Sequence, residues 1–439
     1  DFGTTNSALA VAAPQGAARL LRFGAPEAPE GEDASGLGGG RSETFRSVLF
    51  FDRDDEGDEG VRVRAGPAAL AARLASTSGE GRLVQSLKSF LASRLFSATR
   101  IFGRSWRLED LIGELLGALR REAEAQLGVP VVEAVVGRPV RFVGARSEED
   151  ERLAEARLHA SLVNAGFRRI VFAYEPLGAA HHYERALERD ERILIGDFGG
   201  GTSDFSLLWV GPSWRAGARR GERLLACDGV GVAGDAFDAK LVRHLVAPRL
   251  GRGASFRSAF GRRLPVPAWI YAHLEQWHHV SFLRSRRTMQ ILLDLEREAE
   301  EPEKLTALRH VVERDLGFAL YRATELAKRE LSAREATRLR IADGPLEVDE
   351  PVEREAFEGW IDEELARIAA CVDGLLERAG VGRREVDAVF LTGGSSFVPA
   401  VRRIFEERFG AERLRGGAEL TSVASGLALR AREERVAAR

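Results

Sequence analysis

The sequence predicts an α/β protein built from two or more packed units, and three observations lead to this fold class. The chain has 439 residues, of which 44% are apolar and 30% charged, as is typical of globular proteins. Apolar, β-branched runs alternate with amphipathic helical patterns in the first half of the chain and again near its end. No stretch of the sequence approaches the roughly 18 uncharged apolar residues of a membrane span. Whole-chain disorder is excluded, and a large core is expected.

Two polar segments interrupt the beginning of the chain. Residues 24–40 are rich in Gly, Pro, Glu and Asp without periodicity, which predicts a mobile loop. The acidic run 52–60 separates the apolar segment 45–51 from the alternating segment 61–64, which predicts a β-hairpin with a long charged turn. The carboxylates of this run are expected to be solvated turn residues rather than metal ligands.

Helices and strands alternate over the rest of the chain, with a helical stretch in the middle. Amphipathic patterns predict helices over residues 108–127, 148–165, 176–189, 354–379, 398–409 and 422–435. Apolar, β-branched runs predict strands over residues 131–137, 169–174, 192–198, 204–210 and 388–392. Between about 234 and 331 the pattern is mostly helical. This alternation assigns the chain to the α/β class.

The charge and cysteine content limit the classes of partner and compartment. With 64 basic and 67 acidic residues the net charge is −3, which gives no support for a nucleic-acid partner. The basic, aromatic stretch 269–287 has helical spacing and is expected to be a packed helix with a solvated basic face. Cys227 and Cys371 match no disulfide framework or metal motif, so both are expected to be buried in a cytoplasmic protein. No leader pattern precedes the first motif, so export is not expected.

The strongest motif is a glycine turn that occurs twice. Residues 1–7 (DFGTTNS) and 197–204 (DFGGGTSD) share an Asp, an apolar residue, then Gly and Thr, and an apolar run follows each. Gly allows close backbone approach, while main-chain N–H groups and Thr hydroxyls donate to phosphate oxygens. Two such turns facing each other would clamp a polyphosphate, and Asp1 and Asp197 would hold a hydrated Mg²⁺ that bridges its oxygens. The pair differs from a Walker A loop and from a dinucleotide fingerprint.

A third glycine turn connects the strand predicted over 388–392 to the helix predicted from residue 398. Its residues, Gly393-Gly394-Ser395-Ser396, would let the backbone lie flat against a base or a ribose. By itself the turn is equally consistent with an ordinary strand-to-helix connection. The segment 231–235 (GVAGD) is a weaker case of the same kind.

In their order along the chain, these turns resemble the nucleotide-binding domain of the heat-shock-70 (DnaK-type) chaperones. Two further segments contribute to the resemblance: 175–180 (EPLGAA) after a predicted strand, and 234–238 (GDAFD) before a predicted helix. The resemblance covers essentially the whole chain. It implies an actin-like (ribonuclease-H-like) two-lobed ATPase fold with a central nucleotide cleft.

Four segments resemble the YegD-type subgroup of that family, which lacks the peptide-binding domain. They are 87–91 (LKSFL), 136–139 (VGRP), 211–215 (GPSWR) and the helical insertion around 269–295. The sequence stops where a chaperone would continue into its peptide-binding domain, so no substrate-binding domain is expected.

The resemblance also implies a domain organisation. Lobe I would span residues 1–189, with a core of 1–44 and 108–189 and an insertion subdomain of 45–107. Lobe II would span residues 190–420, with a core of 190–230 and 351–420 and a helical insertion subdomain of 231–350. Residues 421–439 would form a C-terminal helix that returns to lobe I.

The resemblance assigns the phosphate and metal residues. The two phosphate turns would be formed by Gly3, Thr4, Thr5, Asn6, Gly199, Gly200, Gly201 and Thr202. The catalytic set would be Lys88, Glu175, Asp197 and Thr202, with Lys88 stabilising charge on the γ-phosphate and Glu175 beside the attacking water. The metal set would be Asp1, Asp197 and Asp204, around Mg²⁺ and, as a candidate monovalent ion, K⁺. Lys88 is one of only four lysines in a chain that otherwise uses arginine.

The adenosine would be bound by a separate set: Gly234, Glu325, Lys328, Arg329, Ser332, Gly393, Gly394, Ser395 and Phe397. The four residues from Glu325 to Ser332 fall at spacings i, i+3, i+4 and i+7 and so share one helix face. Without the resemblance, that pattern would indicate a solvated charged face. Two positions depart from the family, since Phe397 replaces an Arg that stacks on adenine and Leu420 replaces an Asp before the last helix.

The resemblance implies an enzyme that binds ATP or ADP with Mg²⁺ and slowly hydrolyses ATP to ADP and phosphate. Its nucleotide state would be coupled to lobe closure and to a protein partner such as a co-chaperone or exchange factor. Neither nucleic acid nor a membrane is expected as a partner. An alternative is a nucleotide-gated interaction module with negligible turnover. A sugar or acetate kinase of the same superfamily would need an acceptor pocket and a carboxylate base, which the sequence does not indicate.

Overall fold

The computed structural model describes residues 1–13, 16–24, 41–53, 60–75, 81–184, 187–215, 223–258, 260–415 and 422–437. Most of the predicted mobile loop, most of the acidic turn and the family departure at Leu420 lie outside these residues. None of the helices in these ranges combines the length and the apolar character needed to cross a bilayer.

Strands in the early part of the chain are short, and longer ones follow. In chain order the strands are β1 (Asn6–Ser7), β2 (Ala10–Ala12), β3 (Ala18–Leu20), β4 (Phe45–Arg46), β5 (Val48–Arg53), β6 (Val61–Ala65), β7 (Arg82–Gln85), β8 (Ala98–Ile101), β9 (Arg104–Arg107), β10 (Glu133–Arg138), β11 (Arg169–Tyr174), β12 (Glu191–Phe198), β13 (Ser203–Val210), β14 (Leu224–Val230), β15 (Ser255–Arg257), β16 (Arg263–Pro265), β17 (Ala336–Asp343), β18 (Leu346–Glu353), β19 (Ala388–Thr392) and β20 (Leu414–Arg415). The helices are α1 (Gly66–Ala75), α2 (Leu108–Leu127), α3 (Glu148–Asn164), α4 (Glu175–Glu184), α5 (Pro212–Arg215), α6 (Gly234–Leu241), α7 (Ala268–Leu274), α8 (Arg286–Glu298), α9 (Pro302–Glu313), α10 (Gly317–Ala333), α11 (Arg354–Trp360), α12 (Asp362–Ala379), α13 (Pro399–Phe409) and α14 (Ser422–Ala437).

Most of the predicted elements are present, and several have the predicted bounds. Helix α2 and strands β11 and β19 begin and end where the sequence pattern predicts. The apolar face of α2 is buried, and Gly128 ends the helix in the left-handed conformation with φ 68°. Strands β5 and β6 form the predicted antiparallel hairpin.

Three predictions about helical regions are corrected by the structure. The helix predicted over 176–189 is shorter, because α4 spans Glu175–Glu184 and residues 187–189 are not helical. The helix predicted over 354–379 is divided at Ile361 into α11 and α12. The insertion predicted as helical also contains the hairpin β17–β18, in which buried Leu339 and Ile341 alternate with exposed arginines.

The basic, aromatic stretch 269–287 is not a single helix. Helix α7 ends at Leu274, and a 3₁₀ segment follows over Trp277–Arg284. Ser285 is extended, and its side chain caps α8 by accepting from the Thr288 N–H. The helical spacing therefore predicts the helices α7 and α8 but not the break between them, because the capping Ser285 starts a new helix.

The prediction that both cysteines are buried is wrong for Cys227. Cys227 lies in strand β14, at one edge of a five-stranded sheet, and it is exposed. Cys371, in α12, is half-buried. One side of an edge strand has no neighbouring strand to cover it. An apolar pattern in the sequence does not indicate which strand lies at the edge of a sheet.

The described chain forms two compact units. Unit 1 consists of residues 1–231, 371–394 and 405–439, and unit 2 of residues 232–370 and 395–404. The two-lobe boundaries given by the resemblance divide the chain differently and stay a prediction.

The central sheet of unit 1 has the strand order β14-β13-β12-β19-β20. Strand β12 is antiparallel to β13 and parallel to β19, so that Asp197 is paired in register with Asp204 on one side and with Thr392 on the other. The adjacent residues Phe198 and Phe205 alternate to the opposite face, where their rings and that of Phe405 lie with centroids 5.8 to 6.1 Å apart. The sheet therefore carries these polar side chains on one face and packed aromatic rings on the other.

A close helix pair fixes another part of unit 1. Strands β10 and β11 are parallel, and α4 begins with Glu175 directly after β11. Helix α14 packs against α4 at Gly178 and Gly426, where a Cβ added to Gly426 would lie 1.7 Å from the Gly178 carbonyl oxygen. Only glycine allows this approach, so the position of α4, and with it that of Glu175, depends on the helix contact.

Unit 2 is mostly helical, as the sequence predicts for residues 234–331. Helices α6 to α10 and the hairpin β17–β18 bury an apolar core that includes Phe237, Leu308 and Leu331. Helix α10 contacts both α6 and β17, so residues far apart in the sequence meet on one side of α10.

Candidate functional site

A buried ion pair of the predicted site joins Lys88 and Glu175. Lys88 lies in a 3₁₀ turn, Leu87–Phe90, preceded by Ser86 in the left-handed conformation with φ 55°. Glu175 is the first residue of α4. Lys88 Nζ is 2.8 Å from Glu175 Oε1, and each side chain is only 10% exposed. A non-glycine residue held at positive φ two positions before a buried lysine is a conformation that folded proteins maintain mainly at functional sites.

The second glycine turn closes a hairpin between β12 and β13. The Gly199 N–H donates to the Thr202 carbonyl over 2.9 Å, and the Thr202 hydroxyl donates to Asp204 Oδ2 over 2.9 Å. A Cβ added to Gly229 on β14 would lie 2.5 Å from Asp204 Oδ1, so the Asp204 carboxylate rests against that glycine. Gly199 and Gly201 lie exposed at this end of the hairpin, and the threonine orients the acid beside them.

Asp197 and Asp204 share an electrostatic environment with the Lys88–Glu175 pair. Burial raises the pKa of Asp197, and Glu175 raises it further, while the Thr392 hydrogen bond and Lys88 oppose the change. Burial raises the pKa of Asp204 to about 7, with Asp197 and Glu175 adding to the effect against Thr202 and Lys88. Three carboxylates therefore surround one ammonium group, and this excess of negative charge favours binding of a cation.

The first glycine turn is a tight loop closed by a pair of main-chain hydrogen bonds. The Asp1 nitrogen donates to the Ala8 carbonyl and the Ala8 N–H to the Asp1 carbonyl, each over 2.9 Å. A Cβ added to Gly3 would lie 2.1 Å from the Asn6 carbonyl oxygen, so the turn requires glycine at that position. The Asp1 nitrogen interacts electrostatically with both Glu175 and Lys88.

A neighbouring strand supports this loop. The Ser47 hydroxyl donates to the Gly3 carbonyl over 2.8 Å, and its N–H donates to the Thr5 carbonyl over 2.9 Å. Arg46 Nη1 donates to Asn6 Oδ1 over 3.1 Å. These bonds use the carbonyl oxygens of the loop rather than its N–H groups, which are the kind of donor that binds an anion.

The structure thus brings the start of the chain and the end of β12 to the same place. The Asp1 α-amino group and the carboxylates of Asp197 and Asp204 each interact with both members of the Lys88–Glu175 pair, and all five residues belong to unit 1. Two glycine turns, a buried lysine and a set of acids form an arrangement that suits phosphoryl chemistry.

The third glycine turn lies directly against the end of β12. Gly393 has φ 86°, and a Cβ added to it would lie 2.1 Å from the Phe198 carbonyl oxygen. Residues Gly394–Phe397 form a 3₁₀ turn in which Ser395 and Ser396 are buried. Phe397 is 47% exposed, so its ring face is accessible to a base.

The residues that the resemblance assigns to adenosine on α10 make internal contacts in unit 2. Lys328 Nζ is 2.9 Å from Asp238 Oδ2 and 3.4 Å from the Gly234 carbonyl oxygen. Burial raises the pKa of Asp238 to about 6, and Lys328 opposes the change. The Ser332 hydroxyl donates to the Lys328 carbonyl over 3.0 Å. The segment 234–238 and helix α10 are therefore joined through Lys328.

Four residues that the sequence analysis does not assign have a part in the site. Ser47 supports the first turn, Thr392 donates to Asp197, Gly229 accommodates Asp204, and Gly137 accommodates Glu175. Ser47 lies 44 residues from Gly3 along the chain, while Gly229 and Gly137 belong to other elements than Asp204 and Glu175, so no local pattern indicates these contacts. Thr392 is the exception, since it directly precedes a glycine turn at a strand end.

The acids of the site fit a hydrated Mg²⁺. Within the described ranges, no group of three or more His, Cys, Asp or Glu side chains is close enough to ligate a metal directly. Mg²⁺ usually keeps several waters and uses one or two carboxylates together with substrate phosphates. Asp197 and Asp204, both buried acids with raised pKa values, supply that kind of donor.

Gly137→Ala is expected to reduce catalysis by displacing Glu175. A Cβ at this position would lie 2.9 Å from Glu175 Cγ and 3.1 Å from Leu427 Cδ1, which forces Glu175 away from Lys88. We expect a roughly ten- to hundredfold lower single-turnover rate of ATP hydrolysis, with ADP affinity largely kept. The control is Gly359→Ala, where nothing lies within 4 Å of the added Cβ. A wild-type rate in Gly137→Ala would contradict the role of Glu175.

A comparison with known protein families identifies a related family. A family model described as Hsp70 protein matches the chain over residues 92–250 and 311–433, which together make up more than half of its 439 residues. The matched ranges contain Glu175, the second glycine turn and the third glycine turn. Lys88 and the first glycine turn precede them.

Proposed function

The chain belongs to the Hsp70 protein family, and from this premise we propose that it is a Mg²⁺-dependent ATPase that hydrolyses ATP to ADP and phosphate. Members of the family have the actin-like, two-lobed ATPase fold, so the fold class and the family that the sequence predicts are confirmed. ATP binding and a chaperone-related function follow from membership. The catalytic residues, the metal and the partner are proposals.

One observation carries the assignment of the catalytic centre. The Lys88–Glu175 pair, with its 2.8 Å contact, lies near Asp197 and Asp204 beside the second glycine turn and near the main-chain nitrogen that begins the first. A single ion pair would be compatible with a purely structural role. Two phosphate-type turns that converge on the same pair support a triphosphate site instead.

The chain's own residues would act mainly by positioning and by charge. The peptide groups of the turns at Gly3–Asn6 and Gly199–Thr202 would donate to the phosphate oxygens. An incoming γ-phosphate would compete with Glu175 for the Lys88 ammonium group, which would then stabilise the charge that develops on the phosphate. Glu175, released from that pair, would orient the attacking water. A bound Mg²⁺, held through water by Asp1, Asp197 and Asp204, would supply neutralisation of the β- and γ-phosphate charge.

A protein partner such as a co-chaperone or exchange factor would use the nucleotide state, as is typical of the family. Lys328 is bonded to Asp238 in the structure. The proposed adenosine contacts of Glu325, Lys328, Arg329 and Ser332 would either leave this bond in place or replace it with a bond from Lys328 to the ligand. The proposed phosphate contacts are the same in both cases, because they involve residues of unit 1.

Single-turnover hydrolysis of ATP labelled at the γ-phosphate tests this proposal. With protein in excess over ATP, we expect phosphate release that requires Mg²⁺ and is absent in EDTA. Binding of ATP should be measured on the same protein by calorimetry. Tight binding without any phosphate release would reject the enzyme and favour the nucleotide-gated module.

A further inference from the structure

Thr392 lies beside Asp197 at the carboxyl end of two parallel strands. The two residues are in register between β12 and β19, so their side chains leave the sheet on the same face. The Thr392 hydroxyl donates to Asp197 Oδ1 over 2.9 Å. In the part of the chain that the structure describes, this is the one hydrogen bond made to the Asp197 carboxylate.

Packing alone does not explain a hydroxyl at this position. Thr392 is 6% exposed, and the preceding residues of β19, Ala388–Leu391, are all apolar. Valine has the same shape and a high preference for strands, so it would fill the space equally well. A buried hydroxyl is retained at low cost only where it has a partner, and here its partner is a carboxylate of the proposed catalytic set.

The geometry leaves the two oxygens of Asp197 in different situations. Oδ1 is held by Thr392, whereas the other oxygen is held by no described residue. Rotation of the carboxylate would break the 2.9 Å bond, so the hydroxyl favours one orientation of the group. The orientation of an acid that contacts a metal-bound or attacking water is a determinant of rate.

We infer that Thr392 is a positioning residue for ATP hydrolysis, which holds one oxygen of Asp197 so that the other is presented to the water shell of the nucleotide-bound Mg²⁺. This inference rests on the proposed function. It assigns to β19 a part in the phosphate chemistry, in addition to the third glycine turn that follows the strand.

Three variants test the inference: Thr392→Val, Thr392→Ser and Thr337→Val. Valine removes the hydroxyl and keeps the shape, while serine keeps the hydroxyl. Thr337 is the matched control, because its hydroxyl also donates to a carboxylate, that of Glu330 in unit 2. Two quantities are measured for each protein: the single-turnover rate with ATP, and the Mg²⁺ concentration that gives half-maximal binding of ADP in calorimetry.

For Thr392→Val we expect a roughly tenfold lower rate with ATP affinity changed less than about twofold, the pattern of an interaction that matters in the transition state. The Mg²⁺ requirement for ADP binding should rise several-fold. Thr392→Ser should restore both values to within about twofold, and Thr337→Val should match the wild type. If the valine variant does not fold, Thr392→Ala takes its place against the serine variant.

Equal rates and equal Mg²⁺ requirements for the wild type and Thr392→Val would overturn the inference. So would a serine variant as impaired as the valine variant, since that result would assign the effect to packing. If the wild type itself releases no phosphate, the proposed function fails, and the Mg²⁺ requirement for ADP binding alone decides whether Thr392 positions Asp197.

Discussion

Lys88→Met is expected to lower the single-turnover rate of ATP hydrolysis by a factor of at least about one hundred, since loss of one group that stabilises transition-state charge typically costs that much or more. Lys88 is the cation at the centre of the acids, 2.8 Å from Glu175. Methionine keeps the apolar stem of the side chain and removes the charge. ATP affinity should fall less than the rate, because the glycine turns hold the phosphates through their peptide groups.

The matched control is Lys304→Met. Lys304 pairs with Glu301 at the start of α9 and belongs to unit 2, whereas the proposed catalytic set belongs to unit 1. We expect a wild-type rate in this variant. An unchanged rate in Lys88→Met would remove Lys88 from the catalytic set.

Loss of Lys88 also leaves the Glu175 carboxylate buried without its partner, and such a loss can destabilise the fold. The double variant Lys88→Met/Glu175→Gln removes both charges and so separates the two effects. It should unfold at nearly the wild-type temperature and still be inactive. Recovery of activity in the double variant would show that Lys88 serves only to neutralise Glu175.

Gly426→Ala is expected to lower the free energy of unfolding by about 3 kcal/mol, the upper part of the range for overpacked sites. The added Cβ would lie 1.7 Å from the carbonyl oxygen of Gly178, which is main chain and cannot rotate away. Helices α4 and α14 would have to separate. Since α4 starts at Glu175, the ATPase rate should fall together with stability. Denaturant titration of both proteins measures the change.

Gly359→Ala serves as the control for this substitution. Gly359 lies in α11, it is exposed, and nothing lies within 4 Å of the Cβ that alanine would add. For Gly359→Ala we expect the free energy of unfolding to rise by up to about 1 kcal/mol, because alanine restricts the unfolded chain and favours the helix. If Gly426→Ala were as stable as the wild type, the α4–α14 contact would not be as close as the structure has it.

The sequence predicts much of the fold because many helices and strands have recognisable end signals in the sequence. Helix α2 has an unbroken amphipathic pattern that stops at Gly128, and β19 is an apolar run that stops at a glycine pair. The misplaced elements lack such ends. Ser285 restarts a helix within an apparently continuous pattern, and only two residues separate β17 from the end of α10, neither of them glycine or proline.

The site is predictable only in part, for a different reason. The glycine turns are local, so their residues can be identified from the sequence. The contacts that orient them are not local: Lys88 and Glu175 are 87 residues apart, and Asp197 and Thr392 are 195 apart. Such pairs are set by strand order and helix packing, which one sequence does not encode in any short pattern. The family resemblance supplies Lys88 and Glu175, whereas the contact of Thr392 with Asp197 emerges only from the structure.

A crystal structure with ADP, Mg²⁺ and a γ-phosphate analogue tests most directly whether the two glycine turns share one polyphosphate. We expect the phosphate groups to accept hydrogen bonds from main-chain N–H groups of both turns, Gly3–Asn6 and Gly199–Thr202, with Lys88 Nζ turned from Glu175 to the analogue. Phosphates that contact only one turn, or that lie away from Lys88, would contradict the account.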